Sequence, residues 1–168
     1  IGIYGGTFSP PHIGHHRALS AFLQQEQLDR VYVIPTLQPP HKSLQGDATP
    51  QHRLAMCRLA FADLPVTVSD MEIKRGGKSY TVLTLEELKR ADNTLVLLCG
   101  SDMFLSIDRW YQPQRIFALA EIVYVQRGDG EHAEQVAQAL AAQAMRLQQQ
   151  YSAVTRPLAC RAIEISST

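Results

Sequence analysis

Ile1-Gly2-Ile3-Tyr4-Gly5-Gly6-Thr7-Phe8-Ser9-Pro10-Pro11-His12-Ile13-Gly14-His15 opens the chain. The apolar run Ile1 to Tyr4, stopped by two glycines, reads as a buried strand and then a tight turn. Pro10 and Pro11 precede apolar positions at Leu19, Phe22 and Leu23, with Ala18 and Ala21 beside them. That pattern predicts a helix from about Ile13 to Leu28, because proline suits a helix entrance and not its interior. Glycines in the turn let backbone N–H groups come close to a ligand, and a helix beginning at His12–Ile13 aims its positive end at the same place. His12 and His15, three apart, project to one side of a first turn, and Gly14 between them offers no side chain to obstruct a ligand. The stretch therefore reads as a polyphosphate site with two imidazole donors. It is neither G-x-x-x-x-G-K-S/T nor G-x-G-x-x-G, and no third ligand accompanies the two histidines, so no metal site is predicted. His16 turns away from the other two.

Outward from this stretch, strands and helices alternate. Val31–Ile34 is β-branched and stops at Pro35. After a loop with Pro39, Pro40, Gly46 and Asp47, Thr49-Pro50 supplies a cap and a first-turn proline for a helix through Leu54, Met56, Leu59 and Ala60. Val66–Val68 predicts a short strand that Met71-Glu72-Ile73 extends, and Gly76-Gly77 a turn. A helix follows from Thr81 or Thr84 to about Arg90, the later start making Thr84 and Glu87 a capping box. Thr94–Cys99 is the most apolar strand and ends at Gly100, before a short helix near Ser101. A helix over 114–120, a strand over 121–125, a long Ala- and Gln-rich helix over 131–150 and a last strand over 162–165 complete the order. Apolar strands alternating with helices predict an α/β, Rossmann-like fold: a mostly parallel, doubly wound sheet with helices on both faces. Ligands of such sheets bind beyond the carboxyl ends of the strands, at a switch point.

The bulk numbers agree. A chain of 168 residues, 45% of them hydrophobic and without a linker-like segment, predicts one globular domain over 1–168. It begins with Ile rather than Met, and the expectation is that a few residues are missing at each end. Sixteen basic and sixteen acidic residues cancel, which argues against a nucleic-acid partner bound over a whole basic face. No apolar run approaches the ~20 residues of a membrane span and no signal peptide is visible, so no membrane partner is predicted. Cys57, Cys99 and Cys160 are widely spaced among apolar neighbours, which reads as reduced core thiols in a cytoplasmic protein. The polar helix over 131–150 is a solvated face or an assembly face, so a homo-oligomer stays open.

The Gly-rich turn with His12-Ile13-Gly14-His15 resembles the signature of the HxGH nucleotidylyltransferase superfamily. Within it, the chain is similar to the bacterial nicotinate-mononucleotide adenylyltransferases over nearly its whole length. Pro39-Pro40-His41-Lys42 resembles that family's PPHK loop, Ser79-Tyr80-Thr81 with Thr84-Leu85 its SYTxDTL segment, Gly100-Ser101-Asp102 with Trp110-Tyr111 its GxD…W-[WY] region, and Ile165-Ser166-Ser167-Thr168 its ISSTxIR motif. Each short piece is weak alone; five in family order are strong. Ser9 and Leu83 stand where the family has acids, and the chain stops before the last motif's arginine.

The resemblance implies adenylyl transfer from ATP to nicotinate mononucleotide, giving deamido-NAD and pyrophosphate, with Mg²⁺ held mainly by ATP oxygens and water. Catalysis falls to His12 and His15, His15 donating to the α-phosphate and His12 holding its neighbours. Gly5, Gly6, Thr7 and Phe8 line the ATP phosphates, Gly14 lies against ribose or adenine, and Ile165, Ser166 and Ser167 present N–H groups to the β- and γ-phosphates. Gly100 leads to Asp102, read either as a ligand of ribose hydroxyls or as a cap. Lys42 is read as pairing with a substrate phosphate or as solvated, and His41 at even weight. Trp110 stacks on the pyridine or packs in the core. The Tyr111 backbone and Thr81 meet the nicotinate carboxylate. Arg127 touches the mononucleotide phosphate or lies on the surface. Arg53 and Arg75 read as surface or interface residues. Competing readings are another adenylyl acceptor, such as phosphopantetheine or nicotinamide mononucleotide; a class I aminoacyl-tRNA synthetase, for which the chain is too short and lacks KMSKS; and a non-catalytic nucleotide sensor.

Overall fold

The structure is a computed structural model that describes residues 1–37, 49–128, 130–151 and 158–165. Six strands make one sheet: β1 (Gly2–Gly6), β2 (Val31–Pro35), β3 (Thr67–Val68), β4 (Leu95–Cys99), β5 (Ala120–Arg127) and β6 (Cys160–Ile165). Their order is β3-β2-β1-β4-β5-β6, and every neighbouring pair is parallel. The sheet is thus wholly rather than mostly parallel. Its order reverses between β1 and β4, which puts the switch point at Gly6 and Cys99, where parallel strands part and leave a crevice.

Seven α-helices connect the strands: α1 (Ile13–Gln25), α2 (Pro50–Ala60), α3 (Met71–Arg75), α4 (Thr81–Leu88), α5 (Ser101–Ser106), α6 (Pro113–Leu119) and α7 (Ala133–Tyr151). Strand side chains divide between two cores by parity. Leu95, Leu97 and Cys99 join Val82, Leu85, Phe104, Ile116 and Leu140 on one face. Val96 and Leu98 join Leu19, Phe22, Cys57 and Phe61 on the other. All five residues of β4 are buried, so this strand has no polar side to show, and its unbroken apolar run is the expected mark of a doubly covered strand. No helix among the described residues is long and apolar enough to cross a membrane.

Several local expectations are corrected. β1 runs on through Gly5 and Gly6, which pair with Ile34 and Pro35, so the turn begins only at Thr7. Met71–Arg75 is a helix and no continuation of β3. Its apolar residues Met71 and Ile73 alternate like a strand, but the segment is only five residues long and follows the edge strand β3, and among the described residues no strand pairs with it. Thr84 lies inside α4 and caps nothing; its hydroxyl turns inward to Glu72. Thr49 and Pro50 do start α2 as read, the Thr49 hydroxyl accepting from the His52 N–H.

Candidate nucleotide site

The amino end of α1 is built from its own histidines. His12 is the N-cap, in extended conformation, and its Nδ1 accepts from the Gly14 N–H at 3.1 Å. In return His15 Nδ1 accepts from the His12 N–H at 3.0 Å. Two N–H groups that a helix start leaves orphaned are thereby satisfied by rings rather than by the usual Ser, Asp or Glu. The rings stack at 3.7 Å between centroids, inclined by 24°. This reciprocity settles a protonation question. A ring nitrogen that accepts from a backbone N–H carries no proton of its own, so each neutral ring holds its proton on Nε2 and presents it as a donor.

Burial and the neighbouring His12 ring together push His15 down to about 4. Protonating it at Nδ1 would also break the bond to the His12 N–H. Below it, the Phe8 ring meets His15 edge-on at 4.9 Å, and the Tyr4 ring stands at 6.3 Å. Phe8 is buried and takes a left-handed backbone, φ 49°, a cost for a bulky residue that the surrounding contacts offset. Gly14 has no room for a side chain: a Cβ there would come within 2.9 Å of the His12 ring. It would also lie 3.6 Å from Arg127 Nη2, so the Arg127 guanidinium, exposed at the end of β5, reaches over the start of α1. His16 faces elsewhere, as read, with its Nε2 3.0 Å from Asp63.

The predicted residues are placed by their elements. Gly5, Gly6, Thr7, Phe8, His12, Gly14, His15 and Arg127 gather at the carboxyl ends of β1 and β5. Gly100 follows β4 as N-cap of α5, and Asp102 is exposed in the first turn of α5. Gly100 gives that turn no side-chain cap, and Asp102 supplies negative charge there. Ile165 ends β6. Thr81 is the first residue of α4. Trp110 is half-buried against the core, its Nε1 donating to Ser106 Oγ at 3.2 Å, and Tyr111 is half-exposed with its ring 4.6 Å from that of Tyr80. Of the two readings of Trp110, packing against the core is what these contacts describe. His41, Lys42, Ser166 and Ser167 lie outside the described residues.

Arg53 is the residue the sequence hid. It is fully buried, against the expectation of a surface or interface residue, and donates to the Thr7 carbonyl at 2.8 Å and the Leu37 carbonyl at 3.3 Å. One guanidinium so ties the turn after β1 to the segment after β2. The signal available was weak: an arginine on the apolar side of α2, one residue before Leu54 and four before Cys57. Arg75, likewise expected at the surface, is half-buried and donates to Thr84 Oγ1 at 3.2 Å.

Among the described residues, no group of three or more His, Cys, Asp or Glu side chains could hold a metal ion. The two imidazoles are turned outward as donors, the wrong polarity for a cation and the right one for an anion.

A cytidylyltransferase-like family model matches residues 3–168. The chain belongs to this family. Two curated relatives are named probable nicotinate-nucleotide adenylyltransferase. That of Desulfatibacillum aliphaticivorans is 44% identical over 136 residues, 80% of this chain and 63% of the relative. That of Citrifermentans bemidjiense is 46% identical over 130 residues, 76% of this chain and 60% of the relative. The cytidylyltransferase-like chain therefore spans a little over 60% of the length of the first and 60% of the second. A solved structure of Plasmodium falciparum nicotinic acid mononucleotide adenylyltransferase complexed with NaAD superposes with a TM-score of 0.69. It is 18% identical, and the match covers 98% of this chain and 74% of that one. At that identity it establishes the shared architecture of this family member and no more.

Proposed function

We propose that this chain transfers the adenylyl group of ATP to nicotinate mononucleotide, releasing pyrophosphate and forming deamido-NAD. The observation that carries the reading is the reciprocal His12–His15 cap at the switch point, which holds two Nε2–H donors beside the Arg127 guanidinium. The names of the relatives that share over 40% of their aligned residues with this chain point the same way.

An oxygen of the mononucleotide phosphate attacks the α-phosphorus of ATP. A new P–O bond forms, the bond to the β-phosphate bridging oxygen breaks, and its electron pair leaves with pyrophosphate. The attacking phosphate is already ionised near neutral pH, since its second pKa is ~6, so no general base is needed. The protein's task is alignment and neutralising charge. His15 donates from Nε2 to the α-phosphate oxygens, and His12 donates to the phosphate beside them. Arg127, over the same helix end, faces the point where the two substrates' phosphates meet. Backbone N–H groups of the β1–α1 turn, held in place by Arg53 through the Thr7 carbonyl, complete the described part of the anion cradle; the motif assigns the β- and γ-phosphates to Ser166 and Ser167. Mg²⁺ enters as part of the ATP substrate, carried by phosphate oxygens and water, in keeping with donors rather than ligands at the helix end.

Thr81, Tyr111 and Trp110 form the acceptor side, with Lys42 on the acceptor phosphate and Asp102 on a ribose. N–H and O–H donors suit a carboxylate and face the NH₂ of an amide badly, which is the basis for choosing the acid. The test is pyrophosphate release by the full chain with ATP and Mg²⁺, run in parallel with nicotinate mononucleotide, nicotinamide mononucleotide and phosphopantetheine. Strong release with the first alone is expected. Release with another acceptor instead would keep adenylyl transfer and overturn the acceptor assignment.

A further inference from the structure

A buried polar cluster brackets the Gly76-Gly77 turn, on the way into Ser79-Tyr80-Thr81. Glu72 of α3 is only 5% exposed. Its Oε2 accepts from Thr84 Oγ1 of α4 at 2.6 Å, and Arg75 Nη2 donates to the same hydroxyl oxygen at 3.2 Å. Ser79 is buried too; its Oγ accepts from the Leu37 N–H at 2.9 Å and keeps its own O–H to donate. Burial pushes the Glu72 carboxyl up, while the Thr84 hydroxyl, the Arg75 charge and the Ser79 hydroxyl pull it back. Between the two halves of this cluster lie Gly76 and Gly77, at φ +77° and +70°, with no atom within 4 Å of where either Cβ would stand. Only glycine takes two such conformations in succession at little strain, and a turn without packing holds no shape by itself. Its two sides are therefore fixed by the Glu72 carboxyl that precedes it and the Thr84 hydroxyl that follows it, while Ser79 ties the far side to Leu37.

We propose that Glu72 is a positioning residue for acceptor recognition, its buried carboxyl gripping Thr84 across the Gly76-Gly77 turn so that the start of α4 is fixed, with Tyr80 held against Tyr111 and Thr81 beside it. The proposal rests on the acceptor assignment of Thr81 and Tyr111 made above. Glu72 touches no substrate; it acts through a backbone segment that does, and a buried polar network of this kind is sensitive to the loss of one member.

Glu72→Gln keeps the shape of the side chain, removes its charge and replaces the strong carboxylate acceptor of the Thr84 hydroxyl by a neutral amide. In the full chain it is expected to raise the KM for nicotinate mononucleotide ~10-fold, the worth of one hydrogen bond to a buried charge. The KM for ATP and kcat are expected to stay within about twofold of wild type. Thr84→Val should follow Glu72→Gln, and Thr84→Ser, which keeps the hydroxyl, should restore the wild-type KM. Thr84→Val also carries the test if the Glu72 variant does not fold. Amide hydrogen exchange supplies a readout that needs no turnover: faster exchange at 79–82 in Glu72→Gln, with α1 unchanged. A lower kcat with both KM values intact, or exchange unchanged at 79–82, overturns the proposal. Wild-type enzyme that prefers a different acceptor overturns the functional reading instead, and the KM for that acceptor then decides the role of Glu72.

Discussion

In the proposed reaction, the role given to His15 turns on where one proton sits. Both Nδ1 atoms of the stacked pair accept backbone N–H groups, so both protons sit on Nε2 and face outward. A donor aimed at charge that grows in the transition state contributes mainly to kcat, and removing one costs ~10²–10³-fold. His15→Ala is accordingly expected to lose kcat on that scale while ATP binding weakens far less; steady-state kinetics with an independent ATP Kd separates the two, and an unchanged kcat would remove His15 from the chemistry. Gly14→Ala tests the same arrangement from behind. Its methyl would stand 2.9 Å from the His12 ring, so the ring must leave its cap, and the KM for ATP should rise although no ligating group is deleted. The histidine spacing showed in the sequence, since three residues apart on a first turn means one side. The tautomer did not, because it depends on which backbone N–H each ring meets, and no spacing rule specifies that.

At the scale of elements, the strands β1, β2, β4 and β5 and the helices α1, α2, α6 and α7 were legible within a few residues, because each carries an unbroken apolar run or a clear helical stripe. The failures share a cause. Met71–Arg75 reads as a strand by alternation but is only five residues long, and at that length two periods cannot be told apart. Thr84 has the look of a cap, but a buried carboxylate offers its hydroxyl a stronger acceptor than a helix end does. Arg53 misled for a related reason: charge usually marks the solvent side of a helix, and here it marks a joint. It connects α2 to the turn after β1 and to the segment after β2, through two carbonyls. Arg53→Ala leaves both carbonyls short of a donor and a cavity behind. The expected cost is about 3 kcal/mol, a fall in Tm on the order of 10 °C, read by thermal unfolding. Arg53→Lys, with a single-point donor in place of a fork, should recover only part of it.

Across the whole molecule, both ends of the sheet lose stability in acid, in successive pH windows, and one buried carboxyl opposes them. At the carboxyl end, burial and His12 hold His15 down to about 4 from an ordinary value of 6.5. The unfolded chain therefore binds more protons than the folded one between those two values, and stability falls as pH drops through them. At the amino end, burial alone would raise Glu26, but the hydrogen bonds and charge of Arg161, which also bonds Glu121, hold it low. On the far side of the sheet Arg146 and Gln143 likewise outweigh burial at Asp108. Those two carboxylates favour the fold above their unfolded values of 4.5 and 3.8, and that support is lost as pH falls further. Glu72 opposes them: burial raises it, so its ionised form is a burden at neutral pH that protonation relieves. Because its window opens upward from 4.5, it offsets part of the His15 loss and none of the later carboxylate loss. Urea unfolding at pH 8, 7, 6 and 5 should thus show stability level between 8 and 7 and declining toward 5. His15→Gln should flatten that decline, and Glu72→Gln should steepen it. A wild-type curve that rises between 6 and 5 would mean that Glu72 outweighs His15, and a His15→Gln curve parallel to wild type would place the titrating group elsewhere.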